Sequence, residues 1–91
     1  MIQIIRGETV NFDKIYSDNL NIDNSTCKLE VITKDVKNNN IIIKTIEANK
    51  ENDHFTALVN TEDIITKEFI IIITIKDGDI IAKEKMYFRF E

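Results

Sequence analysis

The chain has 91 residues, of which 43% are hydrophobic and 31% charged, and its net charge is −4. That length builds one domain, residues 1–91, with a single core and little room for a buried active site beside it. The acidic balance offers no electrostatic footprint for nucleic acid or anionic lipid, so neither nucleic acid nor membrane is expected as a partner.

There is no Pro, and the two Gly are outnumbered by nineteen Ile and ten Asn. β-Branched Ile favours the pleated, half-buried surface of a sheet. Cys27 stands alone, which excludes an intrachain disulfide or a cysteine metal cluster, and its alternating surroundings make it an inward-facing small hydrophobe. Residues 1–6 lack the basic start and long apolar core of a signal peptide. The longest apolar run, 69–73, is far below the ~20 residues that span a bilayer. The expectation is a soluble protein made without a secretion signal.

A short first strand is expected over residues 2–6 and a second over 8–16, with Val10 and Phe12 on one side and Asn11 and Asp13 on the other. Gly7 shapes the bend between them. Residues 17–25 are turn-rich, with Leu20 and Ile22 tucking the segment onto the core. The third strand, 26–34, alternates Cys27, Leu29, Val31 and Thr33 against Lys28, Glu30, Ile32 and Lys34. The Asn-rich loop 35–40 follows; Asn tolerates left-handed backbone, so this loop can be tight.

Residues 41–48 make the fourth strand, 49–53 a loop, and 54–60 the fifth strand with Phe55, Ala57 and Val59 inward. The period then changes, and residues 61–67 can form one helical turn, capped by Asn60 or Thr61, with Glu62 and Asp63 at its positive end. Residues 69–90 read as a β-hairpin. Asp77-Gly78 suits a type I′ turn, which pairs Lys76 with Asp79, Ile75 with Ile80 and Phe69 with Met86. Phe69, Ile71, Ile73 and Ile75 then share a face with Ile80, Ala82, Met86, Phe88 and Phe90, while Lys76, Lys83, Lys85 and Arg89 point away. The count is about seven strands at intervals close to those of an immunoglobulin-like antiparallel sandwich, with an open barrel as the alternative.

Chemistry is sparse. His54 is the only histidine, and a metal or acid–base site would need Glu51 and Asp53 to converge on its ring; the spacing matches no zinc or calcium motif. Asp77, Gly78 and Asp79 are explained by the turn. Ser17, Ser25 and Cys27 have no histidine placed to activate them by a recognisable motif. No catalytic residue, metal ligand or cofactor is expected, and the protein reads as a non-enzyme. The apolar run 69–75 needs burial on both faces. Either it is a central strand, or Ile70 and Ile72 belong to a subunit interface.

Taken in order, residues 5–12, 25–31, 61–63, 69–75 and 85–88 resemble the small immunoglobulin-like domains of tailed-bacteriophage virions, the N-terminal domain of baseplate upper proteins being the nearest type. The motifs that carry the likeness are Arg6-Gly7-Glu8-Thr9 leading into a strand, Ser25-Thr26 before an alternating strand, Thr61-Glu62-Asp63 crossing between sheets, and a Phe-rich last strand. The glycine of the usual Thr-Gly corner is absent at Asp23-Asn24-Ser25, and so is the proline common between Ile64 and Phe69. The resemblance implies a virion structural part made in the host cytoplasm, with no catalytic residues to carry over, and the length suggests a free-standing protein repeated on a capsid, neck or tail. A head auxiliary or decoration protein, or a tail or baseplate module, would bind other virion proteins, or further copies of itself, through sheet faces and strand edges. Ile2, Ile4 and Arg6 on the first edge and Ile70, Ile72 and Tyr87 on the last hairpin are the candidate contacts. The other reading is a carbohydrate or host-surface binding module, for which Tyr16 and Tyr87 are the only rings placed to stack on a sugar.

Overall fold

The structure, a computed structural model, describes residues 1–17 and 20–91. These residues form eight strands: β1 (Ile2–Ile4), β2 (Thr9–Ile15), β3 (Thr26–Lys34), β4 (Asn40–Glu47), β5 (Asn49–Lys50), β6 (Phe55–Asn60), β7 (Glu68–Asp77) and β8 (Ile80–Phe90). They divide into a five-stranded sheet, β1-β8-β7-β3-β4, and a three-stranded sheet, β2-β6-β5. The order β8-β7-β3-β4 against β2-β6-β5 is that of an immunoglobulin-type sandwich. The run 69–75 is therefore central, flanked by β3 and β8 along its length.

Alternation puts one side chain in two between the sheets. From the larger sheet come Leu29, Val31, Ile71 and Phe88, and from the smaller Phe55 and Val59, all at most 2% exposed. Burying each contributes about 1.5–3 kcal/mol. Phe69 stacks on Phe88 with ring centroids 4.9 Å apart and leans on Phe90 at 5.2 Å. Leu20 and Ile22 are buried at one end, as their place in a turn-rich segment suggests; residues 18 and 19 of that segment lie outside the described residues.

The last hairpin departs from expectation in its register. Asp77 pairs with Ile80, Ile75 with Ala82 and Phe69 with Phe88, so the two-residue turn is Gly78-Asp79. Gly78 has φ +59° and Asp79 has no positive φ. Positive φ at the first central position alone is the type II′ pattern, which asks for Gly there; type I′ would ask for it at both. The shift is two residues, one full side-chain period, so each side chain keeps its side of the sheet, although Ile80 beside the turn is 57% exposed.

Other corrections follow from local hydrogen bonding. Residues 61–67 make no helix: Ile64 N–H returns to Thr61 O at 3.1 Å, closing a single turn, and the Asn60 side chain accepts from Glu62 N–H at 2.8 Å. The one short helix among the described residues is instead a 3-10 turn at Ile22–Asn24, where the Asn21 side chain accepts from Asp23 N–H. The predicted loop 49–53 contributes β5, and β6 starts at Phe55 because His54 is still in the turn. The first strand stops at Ile4, after which Glu8 draws the chain round: its carboxylate accepts from Ile5 N–H while its own N–H donates to Ile5 O. Gly7, at φ +97°, makes that reversal possible. β1 thus runs parallel to β8, pairing Ile2 with Phe88 and Ile4 with Phe90, where an antiparallel sandwich was expected throughout.

Thr61 joins two of the four places where the chain changes sheets. It is fully buried; its hydroxyl donates to Glu8 O at 2.7 Å and accepts from Gly7 N–H at 3.1 Å, and its N–H donates to Glu8 O at 3.2 Å. The β1–β2 and β6–β7 crossings are held by one side chain.

Candidate functional site

The face of the larger sheet turned away from the core carries every second residue of β3, β4, β7 and β8. Cross-strand register lines up Tyr87, Ile70, Ile32 and Ile42 in one row over four strands. At about 4.8 Å per strand the row is about 14 Å long. Tyr87 and Ile42 are 48% and 56% exposed, while Ile70 and Ile32 are half-buried by their neighbours. Met1 lies at the upper end, where it helps Ile32, Ile70 and Tyr87 to line a depression of about 210 Å³. Ile72 continues the apolar surface one row down, between Lys85 and Glu30.

Charge is unevenly shared. Lys28, Lys34, Lys76, Lys83, Lys85 and Arg89, six of the twelve cationic residues, project from this face with only Glu30, Glu47 and Glu68 among the sixteen acids. The face is therefore at +3 on a molecule of −4, leaving −7 elsewhere. Lys28 lies 3.9 Å from Glu30, and the Lys85 ammonium sits 5.9 Å from the Tyr87 ring centroid. On this face Thr74, register neighbour of Lys28 and Lys83, is 7% exposed, and among the described residues its hydroxyl has no hydrogen-bond partner.

The six residues singled out in the sequence fall into three groups. Ile70 and Tyr87 are cross-strand partners on this face and Ile72 adjoins them. Ile2 and Ile4 are on the edge strand β1, but Ile4 packs against the core while Ile2 is 42% exposed. Arg6 is occupied internally: its guanidinium donates to the carbonyls of Ile64 and of Thr66 and lies 4.2 Å over the Phe90 ring. It ties the β1–β2 bend to the start of β7. Ile42 was missed because a bulge in β4 near Ile43 breaks the alternation that would have assigned its face.

The remaining candidates separate in space. His54 Nδ1 is 2.7 Å from Asp53 Oδ1, and that hydrogen bond holds the Asp53 carboxyl below its usual range. Glu51 reaches His54 only through its backbone N–H, which donates to the His54 carbonyl. Among the described residues no three His, Cys, Asp or Glu side chains converge. Tyr16, 62% exposed, lines a depression of about 280 Å³ with Lys14, Asp53 and His54. Cys27 is 3% exposed, and burial, followed by the nearby Glu47 charge, pushes its thiol up to about 11. An opening of about 660 Å³ lies between β2 and β8; inward residues such as Phe12, Ile75 and Met86 line it together with Lys14, Lys83 and Glu84.

No protein-family model, curated protein or solved structure matches the chain.

Proposed function

We propose that this is a non-enzymatic structural subunit of a tailed-bacteriophage virion, a capsid auxiliary or decoration protein or a tail or baseplate component, that stabilises the particle by protein–protein contacts. The virion assignment rests on the resemblance of its sequence motifs. The mode of action rests on one observation, the outer sheet face on which an apolar row of Tyr87, Ile70, Ile32 and Ile42 lies between Arg89 and Lys34 on one side and Lys85 on the other, with six cations against three acids over the whole face. Such a face suits an acidic partner surface with an apolar centre, because the cations steer the encounter and the desolvated row supplies affinity. A rigid sandwich repeated over a shell adds stability where each copy bridges neighbouring subunits.

The test is cryo-EM of purified particles from the phage that carries the chain. Density at regular copy number, with the β8-β7-β3-β4 face against a neighbour, is the expected result. Particles that lack the protein overturn the reading. A second reading, carbohydrate binding at a host surface, draws on Tyr16 beside Lys14, Asp53 and His54, since an exposed ring next to polar groups suits a sugar. Glycan-array binding lost in Tyr16→Ala would favour it, and the absence of glycan binding would remove it.

A further inference from the structure

The sheet edges are not equally protected. An exposed strand edge invites pairing with another chain, and proteins blunt it with charges, bulges or short length. β1 has three residues and β5 two. The free part of β8 carries Lys83, Glu84 and Lys85, and the free edge of β2 carries Asp13 and Lys14 beside a register shift. β4, the other edge of the larger sheet, is eight residues long and opens Asn40-Ile41-Ile42-Ile43 without a charge. Ile41, Ile42 and Ile43 are 41%, 56% and 39% exposed. The nearest charge on the strand, Lys44, is turned away: its ammonium donates to Asn60 O at 2.8 Å and to Asp63 Oδ1 at 2.7 Å. Two more exposed apolar side chains, Val36 and Ile65, line one depression of about 570 Å³ with Ile41 and Ile43.

The geometry points to β4 as a homodimer interface, joining two copies edge to edge through antiparallel pairing about a two-fold axis at Ile42. The occupant is a second copy because the segment is self-complementary. With Ile42 opposite the partner subunit's Ile42, Ile41 meets the partner subunit's Ile43, so like meets like on each face and no two charges of one sign are opposed. The bulge near Ile43 stops the ladder after these residues, which keeps it short. The contact is isologous and closes on itself, and the charged edges of β8 and β2 disfavour further growth. The alternative of packing two outer faces together would set +3 against +3. This inference concerns the isolated chain and stands apart from the virion reading.

Light scattering after size exclusion, over a concentration series, tests it. A few paired residues with flanking Val36 and Ile65 give a small interface, so the Kd is expected on the order of 100 µM, with a mass rising from 10.6 kDa towards twice that value. Ile42→Asp is expected to raise the Kd at least tenfold. Ile42→Cys gives a second readout that needs no weakened variant: it should form a disulfide-linked dimer under mild oxidation, whereas Leu58→Cys, more exposed at 62% but on the other sheet, should not. Cys27 is buried and does not compete. A chain still monomeric at about ten times that Kd, or cross-linking as efficient at Leu58→Cys as at Ile42→Cys, overturns the proposal.

Discussion

Two threonines show how the same side chain stabilises or weakens a sandwich according to its partners. Through its hydroxyl and its N–H, Thr61 makes three hydrogen bonds at the crossing of the sheets, and Thr61→Val would leave Gly7 N–H without its partner and Glu8 O short of a donor in a part-buried place. The expected loss is about 1–3 kcal/mol, read by urea denaturation. Thr74→Val has the opposite sign. It keeps the β-branched shape and removes a buried hydroxyl that has no partner among the described residues, so a gain of about 1 kcal/mol is expected in the same assay. Cys27 offers a check on the core that needs no mutation. With its thiol raised to about 11 it stays protonated at pH 8, and a thiol reagent should label it only after unfolding. Its contribution to pH dependence has a definite sign: a folded value above the unfolded 9.0 gives stability that is complete below pH 9 and is lost as the pH climbs towards 11.

The strands were legible where burial forces alternation. β3 has the predicted limits, and Cys27, Leu29, Val31 and Thr33 are buried as a set, because a one-residue slip would turn all four to water. The outward cations of β8 were legible for the same reason. What alternation could not give was the hairpin turn, since sliding β8 by two residues leaves the faces unchanged and turn chemistry alone must choose. Gly78 chose by taking the first central position, and Gly78→Ala is expected to cost about 1–2 kcal/mol because an L side chain is strained at φ +59°. Nor was β5 legible: two residues, Asn49 and Lys50, pair with Thr56 and Phe55 through backbone that carries no pattern of its own. The interior of the Asn-rich loop was readable from chemistry instead. Asn38 takes φ +66°, and the Asp35 carboxylate accepts from the N–H groups of Lys37 and Asn39, both at 2.9 Å.

At the scale of the whole molecule, charge decides which of two ways of pairing copies is open. Six cations on one sheet face of an acidic protein make that face fit an acidic partner and unfit for itself. The β4 edge has no such polarity over residues 40–43, and pairing there would leave both outer faces exposed in one extended surface, each still able to dock. The two modes respond to salt in different directions. Between about 50 and 500 mM salt the screening length falls to a few ångströms, so a dimer built from two +3 faces would tighten as repulsion is screened. An edge-to-edge dimer held by Ile41, Ile42 and Ile43 should change its Kd less than about threefold over that range, while docking of the cationic face onto an acidic partner should weaken by about tenfold or more. Light scattering at the two salt concentrations separates them: a flat response places the two-fold at the isoleucine edge, and a dimer that appears only at high salt moves it to the face.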